Sequence, residues 1–277
     1  MQGVIGTRYH HRHRPASSTR RLQVPPLLRR IGDVLLIAGA VLLYFLVRGL
    51  VDGREAEAYR HAEQLIDLER ALGVFWEPTI QRWALDVGPV GTLANWVYIW
   101  GHWPVIIATF VWLLTKHRHV FPVYRNALLL SGAIGLVIFT VYPMAPPRFM
   151  DAWGFVDTVT LHSHSYRVLQ PPSLVNQYAA MPSLHVGWDL LMGIAIARHA
   201  AGRVRWIGYV LPVLMFSAVV LTANHYLADG VVGGLVVLAA LGATIKVHGM
   251  SGRRTLGTPP VVGRQQGLTR RAAQGCS

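Results

Sequence analysis

Long apolar runs separated by short polar or basic segments dominate this chain. Six stand out, at roughly 33 to 51, 88 to 115, 126 to 144, 183 to 200, 205 to 223 and 226 to 247. Most approach the ~20 residues that a helix needs to cross a bilayer, and the fourth is the shortest. The runs are continuously apolar, with no two-residue alternation, so they predict membrane helices and not barrel strands. The expected architecture is an all-α, polytopic bundle of six transmembrane helices. The first run follows a polar segment and lacks a small-residue cleavage site, so it reads as a retained helix and not as a signal peptide.

Between the first two runs, Ala58, Ala62, Leu65, Leu68, Leu72 and Phe75 recur at helical spacing. Glu57, Arg60, Gln64, Asp67 and Arg70 fall on other faces. This pattern predicts an amphipathic outer-face helix ended at Gly73, followed by a short helix that starts at Pro78 and carries Ile80, Trp83 and Ala84. Such a pair either roofs a site or packs against the other outer segments. The segment from Pro143 to Pro182 is the longest irregular stretch between runs and holds Arg148, Asp151, Asp157, His162, His164, Arg167 and Gln177. Long loops of this kind are functional or disordered. This one leads directly into a histidine motif, which favours function.

Composition agrees with the hydrophobic pattern. The 277 residues are 52% hydrophobic and 14% charged, against about 25% charged in an ordinary soluble domain. A net charge of +13 raises the question of a nucleic-acid partner. Its distribution answers in favour of topology. Basic residues crowd Arg8 to Arg30, the loop with Lys116, Arg118 and Arg125, the loop with Arg198, Arg203 and Arg205, and the tail from Arg253 to Arg271. Those are alternate sides of a six-span bundle, whereas Asp52 to Asp86 holds eight acids against four arginines. The positive-inside rule then puts both termini in the cytoplasm of a cell-membrane protein, with no nucleic acid as partner. Residues 1 to 30 and 249 to 277, poor in apolar side chains, are expected as disordered basic tails around a membrane domain from 31 to 248. The single cysteine, Cys276, can form no intramolecular disulfide and says nothing about redox compartment.

The chemistry lies where polar turns meet the apolar runs. His225 and Asp229 are four residues apart at the start of the last run, a spacing that places an imidazole and a carboxylate on one helix face. Forty residues earlier, Met181-Pro-Ser-Leu-His185 opens another run. A proline suits the first helical position, and the free N–H groups of that turn form an anion site to which the Ser183 hydroxyl adds a donor. A carboxylate on Nδ1 of His225 leaves Nε2 to attack phosphorus or take a proton. Arg148 supplies a fixed cation for phosphoryl charge. Ionisable groups at membrane depth read as a functional site. Asp189 either holds His185 or is a buried acid bonded to a neighbouring helix, and His102 reads as a core histidine. His162 and His164 lack a second ligand pair and read as solvated, so no metal or other cofactor is expected.

These motifs resemble the type 2 phosphatidic acid phosphatase superfamily over about residues 90 to 247. Its members are six-span enzymes with a Pro-Ser-x-His motif, a later His-x-x-x-Asp motif and an upstream arginine at the outer face. The resemblance implies a phosphohistidine on His225, Asp229 as its orienting partner, His185 as the acid for the leaving group, and Arg148, Ser183 and Asn224 around the phosphate. The chain departs from the phosphatase pattern at Val141, where the family has lysine, and at Val219, where it has arginine. Phe149 replaces a proline and Leu184 a glycine. Ala-Met-Pro-Ser-Leu-His and Asn-His-Tyr-x-x-Asp are closer to the inositol phosphorylceramide synthase-like branch, which transfers a phospho-headgroup between lipids. A singly charged phosphodiester needs fewer cations, while Arg167 entering from the loop leaves hydrolysis open. The resemblance thus implies a metal-independent phosphatase or inositolphosphotransferase-like enzyme acting on a membrane lipid. The other class of function is a non-catalytic transporter or scaffold with a relic site. A transporter shows broken helices in matching repeats, and no repeat is visible. Neither the lipid donor and acceptor nor the oligomeric state follows from the sequence.

Overall fold

A computed structural model describes residues 26–49, 53–162 and 176–255. Most of both expected tails, together with His164 and Arg167, lies outside the described residues. The helices in order are α1 (Pro26–Gly49), α2 (Glu55–Ala71), α3 (Glu77–Asp86), α4 (Pro89–Trp100), α5 (Trp103–Lys116), α6 (Phe121–Val141), α7 (Thr158–His162), α8 (Leu184–His199), α9 (Ile207–Leu221) and α10 (Leu227–Thr255). The described residues are all-helical, with no strand and one isolated bridge between Met144 and Ala179. α1 begins at Pro26 and α10 runs to Thr255, so helix extends a few residues into both expected tails.

Three helical segments are long and apolar enough to cross a membrane, Phe121–Val141, Gly202–Leu221 and Leu227–Gly249. The α4 and α5 pair, bent by 46°, makes a fourth when taken as one span. Among the described residues this falls short of six, for physical reasons. The run from 88 to 115 is not one helix. It breaks at Gly101 and His102, and Pro104 in the first turn of α5 has no N–H with which to continue the ladder. α8 has 16 residues, which reach about 24 Å against a hydrocarbon core of ~30 Å. The first run is helical over the 24 residues of α1. Ile107, Val137, Val213 and Leu235 are each more than half exposed on the outside of the bundle. Helices that turn such residues outward belong in apolar surroundings, and the chain is a membrane protein.

α8 runs through the middle of the bundle. Leu191, Met192 and Ala195 are fully buried against α5, α6 and α10, and Trp188 Nε1 donates to Ser131 Oγ at 3.1 Å. Glycines set its two closest crossings, Gly193 against Gly208 of α9 and Gly187 against Gly233 of α10. A Cβ on Gly233 would lie 2.1 Å from the Ser183 carbonyl oxygen, so only glycine permits this approach. In consequence Ser183 N–H donates to the Asp229 carbonyl at 2.9 Å.

At that end of the bundle α2 lies across the loops. Its buried face is Ala58, His61, Ala62, Leu65, Ile66 and Glu69. Leu68 and Leu72, expected on the same stripe, are 55% and 67% exposed. The stripe drifts because α2 rests on a curved bed of Met144, Phe155, Ala180, Ala223 and Tyr226, and Ala145 N–H donates to Ala58 O at 3.1 Å. Roofing the loops and packing against them are therefore one arrangement. α2 ends as expected near Gly73, whose φ of +70° suits glycine, and Pro78 sits in the first turn of α3.

Two buried acids join this roof to the bundle. Glu77 of α3 accepts the N–H of Leu227 at 3.0 Å and so caps α10 with negative charge where the helix dipole is positive. Glu69 of α2 lies beside it. Glu69 Oε2 and Glu77 Oε2 are both buried without a donor among the described residues, and a proton kept by Glu69 supplies one. Burial, then the charge and hydrogen bonding of Glu77, push the Glu69 carboxyl up to about 8.

Two outcomes follow. Gly233→Ala should cost about 1–3 kcal/mol and lower the thermal midpoint in detergent, whereas Gly234→Ala, whose Cβ would meet its nearest neighbour at an ordinary 3.6 Å, should not. Equal midpoints for both would contradict the crossing. The native state keeps a Glu69 proton that the unfolded chain releases above its ordinary value of 4.5, so stability declines as pH rises from there to about 8 and then levels. Glu69→Gln removes that slope. Melting curves at pH 5 and 8 should show the variant gaining on the wild type at the higher pH, and a difference independent of pH would refute the retained proton.

Candidate active site

The turn between α9 and α10 presents the central histidine. Thr222 back-bonds through its hydroxyl to Ala218 O at 2.7 Å and ends α9. Ala223 follows with φ +52°, a left-handed conformation uncommon outside glycine and favoured at functional turns. The N–H groups of Asn224 and His225 then both donate to Val219 O, at 2.9 and 3.2 Å. His225 thus stands two residues ahead of α10 and not on its face. Asp229, in the first turn of α10, still comes within 3.4 Å of His225 Nδ1 through Oδ2.

The closest partner of that nitrogen is different. His225 Nδ1 lies 2.7 Å from the carbonyl oxygen of Ala180, an acceptor only, so Nδ1 carries the hydrogen. Asp229 Oδ2 mainly accepts the N–H of Tyr226, at 2.9 Å, and fixes the turn. Carbonyl and carboxylate together select the tautomer that leaves Nε2 without a hydrogen. Tyr226 behind them is fully buried. Burial and the charges of Asp229, Glu69 and Glu77 raise its phenol far above the ordinary range and keep it neutral.

His185 arrives from the start of α8. Its cap is Ser183, whose Oγ accepts Val186 N–H at 3.4 Å, so Pro182 precedes the helix and is not its first residue. Ser183 is fully buried, and its acceptor capacity serves the helix. The His185 ring centroid is 5.7 Å from that of His225, 4.9 Å from Tyr98 and 4.4 Å from His102. Forty residues apart in sequence, the two histidine rings come together, tilted 55° to one another. His185 lies in the first turn of α8, at the positive end of its dipole.

Arg148 completes the constellation from the loop. Its N–H donates to Ala223 O at 2.8 Å, and Nη1 donates to Asn224 Oδ1 at 2.6 Å. The guanidinium stacks 4.8 Å from the Phe149 ring, with Asp157 Oδ2 at 3.8 Å from Nε. The aromatic at 149 thereby has a use, since it steadies the cation. Asn224, expected as a substrate contact, has its other end occupied as well, because Nδ2 donates to Thr222 Oγ1 at 2.7 Å. It holds Arg148 in place. Leu184 packs against Gly135, where a Cβ would come within 2.9 Å of its Cδ1, so a larger residue at 184 is matched by a missing one on α6. Val141 is 63% exposed at the end of α6 and Val219 fully buried, so neither position offers a cation.

Sequence reasoning left some functional geometry unread. His102 is the buried histidine expected, and Asp189 is the buried acid bonded to a neighbouring element, but that the two are each other's partner, at 3.2 Å, is a contact that spacing cannot reveal. Glu69 was missed although it continues the buried 58, 62, 65 stripe of α2, and Glu77 although an acid before a proline is a helix-start signal. His162 ends α7, and Arg167 and His164 are beyond the described residues, so the loop's contribution of a second cation is not part of this geometry.

The PAP2 superfamily model matches residues 63–243, which is more than half of the chain and includes every site residue above. No curated protein and no solved structure matches. The match covers α8, the turn before α10 and the Arg148 loop together. The chain belongs to the PAP2 superfamily.

Proposed function

We propose that this protein is a membrane enzyme that transfers a phosphoryl group from a lipid phosphate or phosphodiester through a phosphohistidine on His225. The observation that carries the reading is the facing pair of imidazoles, 5.7 Å between centroids, with Arg148 tied to the same turn. In the first step His225 Nε2 attacks phosphorus, the bond to the leaving oxygen breaks, and the His185 imidazolium gives that oxygen its proton. In the second step water or an alcohol attacks the phosphorus, gives its proton to His185, and the N–P electrons return to His225. Arg148 and the α8 N-terminus stabilise the phosphoryl oxygens in both. No metal takes part.

A lipid substrate fits the surroundings. An apolar cleft of about 440 Å³ runs between α8, α9 and α10, bordered by Val186 beside His185 and Gly230 beside Asp229, with Leu190, Phe216, Gly234 and Leu238 deeper. It is wide enough to take an acyl chain whose headgroup lies at the histidines. The apolar residues at 141 and 219 favour a singly charged phosphodiester over a monoester dianion. Hydrolysis and headgroup transfer to an alcohol remain the two outcomes of the same phosphohistidine, since water and an alcohol attack it alike. Six crossings, cytoplasmic termini and a site at the outer face are the topology inferred from the charge distribution.

The test is to incubate purified protein in detergent with a panel of lipid monoesters and diesters, and to follow free phosphate and new lipids together. His225→Ala should lose at least about 10²-fold. Asp229→Asn should lose less, because the Ala180 carbonyl still holds Nδ1. Excess EDTA should leave the rate unchanged. Full activity in the His225 variant, or loss on chelation restored by Mg²⁺ or Zn²⁺, would overturn the mechanism.

A further inference from the structure

The break between α4 and α5 places a second imidazole–carboxylate pair directly behind the first. His102 and Asp189 are 4% and 1% exposed, with Nδ1 and Oδ2 at 3.2 Å. Trp188 stacks on the His102 ring with an interplanar angle of 3°, and Trp103 meets it edge-on at 5.3 Å. The ring can therefore neither turn nor reach solvent. Its remaining side packs on His185, at 4.4 Å between centroids. Asp189 follows His185 by four residues on α8, the same interval that separates Asp229 from His225. Its carboxylate nevertheless turns to His102, and Oδ1 has no donor among the described residues. An isolated buried carboxylate costs several kcal/mol, and packing alone would be served as well by an apolar pair.

Resting on the reading of His185 as the acid, we propose that His102 and Asp189 are positioning residues for it. Asp189 fixes the tautomer and orientation of His102. His102 holds the His185 ring towards His225, and the carboxylate sets a negative charge behind the imidazolium that His185 must be when it donates. Neither residue exchanges a proton with substrate. His185 gives one to the leaving oxygen and recovers one from the attacking water or alcohol, so the cycle balances without them. Among the described residues, the other titratable groups that face His185 include Tyr98 from α4, and His225 with its partner Asp229 from the turn and first turn of α10.

The experiment compares leaving groups. Nitrophenolate departs without a proton, whereas a lipid alkoxide needs one. kcat/KM, which covers the steps up to departure of the leaving group and excludes breakdown of the phosphohistidine, is measured on phosphatidate against p-nitrophenyl phosphate, and on phosphatidylinositol against methyl p-nitrophenyl phosphate. Asp189→Asn and His102→Gln should each lose about tenfold or more on the lipid of the pair that is turned over, and much less on its nitrophenyl counterpart, with thermal midpoints near that of the wild type. A general loss of structure would reduce both equally, and that result would overturn the assignment. A second comparison uses the lipid alone. The Asp189→Asn, His102→Gln double variant should be no worse than the more damaging single one, because the pair acts as a unit; multiplicative losses would contradict it. His225→Ala separates the two levels of the account. It should abolish turnover of every substrate, and survival of activity there would sink the phosphohistidine reading, whereas failure of the leaving-group contrast with His225 essential would sink only the role of His102 and Asp189.

Discussion

The backbone contact between α8 and α10 is the constraint on which the rest of the molecule depends. With no side chain at Gly233, the Ser183 carbonyl enters the groove of α10, and Ser183 N–H finds the Asp229 carbonyl at 2.9 Å. That one approach brings the start of one helix to the start of another. It also brings His185 to His225, because each histidine sits at the entry to its helix. Lipid offers little hydrophobic driving force between apolar helices, so close contact of small residues and satisfied hydrogen bonds must hold such a crossing.

Around this contact the protein buries an unusual number of acids. Asp189, Asp229, Glu69 and Glu77 are all nearly or wholly inaccessible. Each has a distinct compensation: an imidazole for Asp189, a backbone N–H and an imidazole for Asp229, a helix N-terminus for Glu77, and a retained proton for Glu69. The carboxylates hold backbone and rings in the geometry that the chemistry needs. Two of them reach the turn before α10 from α2 and α3, so those helices are mechanically joined to the candidate site. A helix pair that only shielded lipid headgroups would have no reason to bury charge against α10.

Much of this was legible in the amino-acid order, for identifiable reasons. His225, Asp229 and His185 stood out because ionisable residues at the mouths of apolar runs are costly, and that cost is written in local composition. Gly73 and Pro78 marked the outer helices through backbone geometry alone. Illegible features depend on partners far away in sequence. The Ala180 carbonyl that holds His225 has no side-chain signature. His102 is the core histidine that the sequence suggested, but its partner, Asp189, lies 87 positions later. The exposure of Leu68 and Leu72 depends on the shape of the loops beneath α2, and the break after Trp100 turned one expected span into two helices. Asn224 and Ser183 were assigned to substrate on residue type, and their local bonds, of Asn224 to Arg148 and Thr222 and of Ser183 Oγ as acceptor from Val186 N–H, depend on how the turns fold.

The account's central claim is that His225 Nε2 carries the phosphoryl group between donor and acceptor. The direct measurement is to quench the enzyme during turnover of a ³²P-labelled lipid, digest it at alkaline pH and map the label by mass spectrometry. A phosphoramidate is stable to base and labile to acid, so the account predicts acid-labile label on the peptide containing His225 and none when the protein is denatured beforehand. Turnover with no covalent label under these conditions, or label on His185 instead, would contradict it.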